Sequence, residues 1–108
     1  MTLFEKIIHG EIPAYKIYED ETFIAFLDIY PHTKGHTLVI PKKPYKNLTE
    51  IPDDILGEYM KLVKKLAIHT ESTLLADGYN IVMNNGALAG QEIFHAYIHV
   101  IPRYEGDT

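Results

Sequence analysis

Between the strand-like run at residues 36–40 and the one at 79–84 lies the only stretch of this chain long enough to hold a helical crossover, and that limits the sheet the chain can build. From residue 52 to about residue 75, Ile55, Leu56, Tyr59, Leu62, Val63, Leu66 and Ala67 recur at steps of three and four, the spacing of one helix face. Pro52 and Asp53 suit its first turn, where proline's missing N–H has no helical partner to lose. Parallel neighbours need a connection of a dozen or more residues, whereas antiparallel neighbours need only a turn. Every other pair of successive strand-like runs has a short link, so the spacing predicts a mostly antiparallel sheet.

The remaining elements follow from periodicity and punctuation. Leu3, Phe4, Ile7 and Ile8 fall on one side of a short helix over 3–9, with Gly10 at its stop and Pro13 beyond. Residues 15–18 and 22–27 read as two strands across the turn Glu19-Asp20-Glu21. Residues 28–35 form a loop with Pro31 and Gly35, and 36–40 is a β-branched strand, placed centrally and ended by Pro41. After Asp77-Gly78 come a strand at 79–84, a glycine-containing loop at 85–90 and a final strand at 94–101. The expected fold class is α+β: a five-stranded, mostly antiparallel sheet with one short N-terminal helix and one long helix, in a single domain over 1–108. No G-x-G-x-x-G occurs, which argues against a Rossmann dinucleotide site.

Composition narrows the function. Fifteen acidic against ten basic residues give a net charge of −5, and no Lys/Arg run exceeds two, which disfavours a nucleic-acid surface. Any nucleotide ligand is then small and pocketed. The absence of cysteine excludes disulfides and thiolate zinc sites. Glu5, Lys6 and His9 interrupt the N-terminal apolar residues, unlike a signal peptide, and no apolar run approaches the roughly 20 residues that span a bilayer, so no membrane partner and a cytoplasmic location are expected. A chain of 108 residues buries only about two-thirds of its unfolded surface, so a homodimer would add useful burial.

The sharpest chemical signal lies near the end. His95, Tyr97 and His99 alternate with Ala96, Ile98 and Val100, and in a strand residues two apart share a face, about 7 Å from one to the next. Just before them runs Asn84-Asn85-Gly86-Ala87-Leu88-Ala89-Gly90-Gln91, whose glycines let backbone amides approach an anion. Taken singly, either histidine is more simply a structural residue and either glycine a turn former. Their conjunction in one unbroken run points to a phosphate site.

The run from Gly90 through Phe94-His95-Ala96-Tyr97-Ile98-His99-Val100-Ile101-Pro102-Arg103 resembles the signature of the histidine-triad (HIT) superfamily, His-x-His-x-His followed by apolar residues. Phe4-Glu5-Lys6-Ile7-Ile8, Gly10-Glu11-Ile12-Pro13, Ala25-Phe26-Leu27-Asp28-Ile29 and Gly35-His36-Thr37-Leu38-Val39-Ile40-Pro41-Lys42 resemble its other characteristic segments, so the likeness covers nearly the whole chain. The branch most resembled is that of small nucleotide phosphoramidases and dinucleoside polyphosphate hydrolases, commonly dimers with a ten-stranded sheet. The resemblance implies a purine nucleotide ligand, with Phe4, Ile7 and Phe26 lining the base pocket and Asp28 accepting from the ribose hydroxyls. It implies phosphate contacts from Asn84, Gln91 and the backbone after Gly90. His99 and backbone amides would stabilise the phosphate, and His36 or His95 would orient the central ring or assist proton movement. Considered singly, Phe4, Ile7 and Phe26 also suit plain core, and Asp28 a loop cap.

Two departures stand out. The family's central histidine attacks the α-phosphate and forms a nucleotidyl-imidazole, and Tyr97 occupies that position here. A free imidazole is largely neutral and nucleophilic at pH 7, whereas a free phenol with pKa near 10 is only about 0.1% ionised, and an aryl phosphodiester resists the second, hydrolytic step. Hydrolysis should be severely impaired. Three accounts stand open: an isolated substitution in an intact site, a loss of catalysis that leaves binding, and an unusual nucleophile assisted by His95 or His99. A rival from another class is a scaffold protein: the bulk of Tyr97, whose hydroxyl would project into the phosphate position, leans slightly toward it, and the presence of Asp28 and the glycine loop opposes it. The second departure concerns zinc: some bacterial relatives carry cysteines where Thr2 and Glu5 stand and a histidine where Pro44 stands, so neither metal nor cofactor is expected.

Overall fold

The computed structural model describes residues 1–107. Its elements are helix α1 (Leu3–Ile8), strands β1 (Lys16–Glu19), β2 (Phe23–Leu27) and β3 (Thr37–Pro41), helix α2 (Asp53–Leu74), and strands β4 (Gly78–Val82) and β5 (Ile98–Arg103). Short 3-10 turns occupy Leu48–Glu50 and Ala87–Ala89. The strands form one sheet in the order β1-β2-β3-β5-β4 with every neighbouring pair antiparallel. β3 is therefore central, and α2 lies in the longest connection, the one that holds an α-helix. It carries the chain from β3 past β5 to β4.

In β2 and β3 both alternating sets of side chains are buried, Leu27 in part, and all but Thr37 are apolar. Phe23, Ala25 and Val39, joined by Ile98 and Val100 of β5, face α2 and pack on Tyr59, Leu62, Val63, Leu66 and Ala67. Ile24, Phe26, Leu38 and Ile40 face the other way and meet Phe4 and Ile7 of α1. A two-turn helix cannot cover as much sheet as a six-turn one, so this second face is closed only in part. That difference in coverage makes the cavity described below.

Local chemistry sets the helix ends. Thr2 and Glu5 form a reciprocal capping box on α1: Thr2 Oγ1 accepts from the Glu5 amide and Glu5 Oε1 from the Thr2 amide. Asp53 and Asp54 sit in the first turn of α2, where negative charge complements the helix dipole. The helix ends at Leu75, which takes the left-handed conformation with φ 55°.

The final strand begins at Ile98 rather than at residue 94. β3 and β5 pair only through Thr37–Val100, Leu38–His99 and Val39–Ile98. Pro41 offers no N–H to continue that ladder, its carbonyl accepts instead from His95 Nε2, and the Ala96 amide turns to the Tyr45 carbonyl. Residues 92–97 thus reach β5 as an irregular lead-in.

Gly35 stands immediately before His36 with φ +88°, and a Cβ there would overlap the Leu74 side chain. Gly35→Ala is expected to lower the unfolding free energy by about 1–3 kcal/mol, from left-handed strain plus overpacking. Urea denaturation checks this, and an unchanged midpoint would show that α2 yields freely at that point.

Candidate functional site

The incompletely covered face holds a cavity of about 270 Å³. Phe4 and Ile7 of α1, with Phe26 and Leu38 of the sheet, supply apolar walls, and Asp28, Glu92, Tyr97 and His99 bring polar atoms to it. Phe4 is the hinge of the aromatic packing, meeting Phe26 at 5.8 Å, Tyr97 at 5.0 Å and His95 at 5.8 Å, each edge to face.

His95, Tyr97 and His99 do turn to one side of the chain, since Ala96, Ile98 and Val100 between them pack toward α2. They differ in depth. His95 is wholly buried, its Nε2–H donates to the Pro41 carbonyl at 2.6 Å, and its Nδ1 has no partner. Tyr97 is 7% exposed and belongs to the apolar cluster of Phe4, Ile24, Phe26 and Leu38. Its Oη lies 3.5 Å from the Glu92 amide nitrogen. Among the described residues no hydrogen bond joins that hydroxyl to His95 or His99, so neither ring stands ready to take its proton. His99, half-buried on β5, contacts the Tyr97 ring at 5.1 Å and opens to the cavity.

A hydrogen-bond chain ties His99 to the opposite strand. The His32 amide donates to His36 Nδ1 at 3.0 Å, so that nitrogen carries no proton and Nε2 must. His36 Nε2 lies 2.9 Å from His99 Nδ1 and donates to it, which leaves the proton of neutral His99 on Nε2. Asp28 closes the group, its Oδ2 lying 3.6 Å from His36 Nε2 while its Oδ1 accepts from the Tyr30 amide. The ligand atoms of Asp28, His36 and His99 lie within 4.8 Å of one another, near enough for a cation. A neutral imidazole that binds metal through Nε2 carries its proton on Nδ1, and here the His32 N–H points at that atom, so the trio suits proton relay better than metal. Thr2 and Glu5, where the resemblance would put two zinc ligands, are engaged with each other as the α1 capping box, and Pro44 has no ligand atom on its side chain. These residues do not fit a zinc ion.

The glycine loop takes a different part from the one its sequence suggests. The Gly86 amide donates to Gln91 Oε1, the Gly90 amide to the Ala87 carbonyl, and the Gln91 amide to the Gly86 carbonyl. Gln91 Nε2 donates to the Lys46 and Ile93 carbonyls, and its side chain is buried. Asn84 reaches only the Gly90 carbonyl, at 3.5 Å. Asn84, Gly90 and Gln91 thus brace one another outside the cavity wall, while Phe4, Ile7, Phe26, Asp28, Tyr97 and His99 line it. The wall also includes Ile12, Ile29, Tyr30, Leu38, Glu92 and Ile93, which the sequence reading missed. Leu38 was recoverable, since it pairs with Phe26 on the same sheet face. Nothing local marked the others.

The fold and this arrangement of His36, His99 and Asp28 beside an aromatic-walled cavity define a class: an antiparallel α+β protein of histidine-triad type. The sequence matches the HIT domain over residues 9–106, and the chain belongs to that family. It is 58% identical to an uncharacterized HIT-like protein of Methanocaldococcus jannaschii over 107 residues, covering 99% of this chain and 82% of the relative. A hypothetical histidine triad nucleotide-binding protein from Sulfolobus tokodaii superposes with a TM-score of 0.93 at 47% identity, covering 95% of this chain and 69% of that one. A zinc-bound histidine triad family protein from Mycobacterium smegmatis does so at 0.92 and 43%, covering 98% and 77%.

Burial pushes His36, His95 and His99 below the usual histidine range, against the partly offsetting pull of Asp28 on His36 and His99, and of the Pro41 carbonyl and Glu5 on His95. An unfolded histidine titrates near 6.5, so on acidification the unfolded chain takes up these protons first. Their stabilising effect is complete above that pH and is lost as pH falls below it. Glu5, Glu19, Asp20 and Asp107 are held below their ordinary carboxylate values, so the stability they contribute is present at neutral pH and is lost only as pH falls through the carboxylate range. Urea unfolding should therefore show lower stability at pH 5 than at pH 7.5, and equal or greater stability at pH 5 would contradict this account of the buried rings.

Proposed function

We propose that this chain binds the nucleoside monophosphate unit of a purine nucleotide and descends from an α-phosphate hydrolase whose turnover Tyr97 has suppressed. The observation that carries the reading is the conjunction of apolar walls from Phe4, Ile7, Phe26 and Leu38 with the carboxylate of Asp28 in one cavity. Apolar walls suit a planar base, and a carboxylate suits the vicinal diol of ribose. The His32–His36–His99 chain supports a hydrolytic ancestry, because it fixes one protonated nitrogen of His99 beside position 97. With an imidazole at 97, that nitrogen would donate to a phosphoryl oxygen as charge develops. With Tyr97, whose hydroxyl is hydrogen-bonded to no base among the described residues, the first step lacks an activated nucleophile. This favours loss of catalysis with binding retained over an unusual nucleophile.

We read the partner as a second copy of this chain. The sheet ends at β1 and β4, and β4 presents Tyr79 and Ile81, exposed at 42% and 39%, along an edge of unpaired backbone groups. Sedimentation analysis is expected to give twice the 12.4 kDa chain mass, and a monomer at micromolar concentration would remove this part of the reading.

Titration with AMP tests the ligand: saturable binding in the micromolar to millimolar range, weakened about tenfold by Asp28→Ala, is the expected result. Hydrolysis of an adenosine phosphoramidate should rise about 10³-fold in Tyr97→His, in line with the scarcity of phenolate at neutral pH. No binding and no activity in either form would leave the scaffold reading in its place.

A further inference from the structure

We infer that the cavity of this chain takes an uncharged purine nucleoside in preference to its 5′-phosphate, the Tyr97 hydroxyl holding the place where a phosphate oxygen would reach the Glu92 amide. The inference rests on the base and ribose assignments above and changes only what lies beyond the ribose.

Charge points the same way as geometry. Among the described residues, the cavity lining contains two carboxylates, Asp28 and Glu92, and no lysine or arginine. His99, the one basic ring on the wall, is held toward its neutral form by burial. A phosphate brought here would lose hydration and gain no cation, next to two like charges, in a chain whose net charge is already −5. A neutral ligand meets neither cost.

Among the described lining residues, His99 carries the one side-chain N–H that an anion could meet. The amides of Gly86, Gly90 and Gln91 are all directed into the loop itself. The Glu92 amide, beside the cavity, faces Tyr97 Oη at 3.5 Å. That distance is long for an N–H···O bond and engages the hydroxyl only as an acceptor, which leaves its O–H to donate to another partner. A 5′-hydroxyl, both donor and acceptor, matches it. The ring cannot readily swing aside, since it sits between Phe4 at 5.0 Å and His99 at 5.1 Å within a buried apolar cluster. Displacing it would expose that cluster.

The test compares adenosine with AMP by calorimetric titration at pH 7.5 and matched ionic strength, on the unmodified chain, on Tyr97→His and on Glu92→Gln. Adenosine is expected to bind the unmodified chain at least as tightly as AMP. Tyr97→His should shift the affinity ratio toward AMP by tenfold or more. Glu92→Gln, a change on an exposed side chain that does not threaten folding, should shift it the same way by about threefold. The inference is overturned if AMP binds the unmodified chain more tightly than adenosine, or if neither substitution moves the ratio. AMP preference with saturable binding of both ligands would leave the base and ribose assignments standing and remove this inference alone. Failure of both ligands to bind all three proteins would remove the underlying reading as well.

Discussion

Burial of both faces of the β2–β3 pair is the constraint on which the rest depends. Two strands with apolar side chains on either side cannot lie at a surface, so the chain must lay something over each face. On one side the 22 residues of α2 do this completely, and the result is an ordinary core around Tyr59 and Val63. On the other, the 6 residues of α1 and the irregular lead-in to β5 cover the sheet only in part. The gap between them is the cavity, and its walls are apolar because they are core positions left uncovered.

The polar side of the site depends on backbone geometry rather than on charge. The His32 amide fixes which nitrogen of His36 carries a proton, and His36 in turn fixes His99, so a main-chain N–H on a loop determines what a ring on β5 offers to a ligand. Gly35, in a conformation open mainly to glycine, places His36 for that bond. Asp28 is joined to the same loop, its amide donating to the His36 carbonyl and its Oδ1 accepting from the Tyr30 amide. The carboxylate and the histidine relay are therefore one structural unit, set at the seam between β2 and β3.

Tyr97 is built into the cavity wall by packing. A phenol at this position packs its ring against Phe4 and within the cluster of Phe26 and Leu38, and places its one polar atom beside a backbone amide. Its neighbours thus accept it as an apolar core residue with a polar tip. What it cannot supply is a nitrogen lone pair toward the cavity, and its ring forms part of the cavity wall.

The antiparallel sheet, the two helices and the central place of β3 were legible in the sequence, because they follow from periods of 2 and 3.6 and from the presence of one crossover-length interval. The shared side of His95, Tyr97 and His99 was legible for the same reason, although the strand itself starts only at Ile98. Resemblance to the histidine-triad family drew Asp28 and His36 to the same site. The glycine loop was read as a phosphate cradle, and only the tertiary structure shows its amides turned to Gln91, Ala87 and Gly86 and its Gln91 side chain buried as a brace. The depth of His95 beneath Phe4, the carboxylate of Glu92 on the cavity wall and the closeness of Tyr97 Oη to an amide five residues earlier were likewise decided by packing. Element type is written in neighbouring residues. The acceptor a given N–H finds depends on which distant segment folding brings within 3 Å of it, and that is fixed only when the two faces of the sheet are covered.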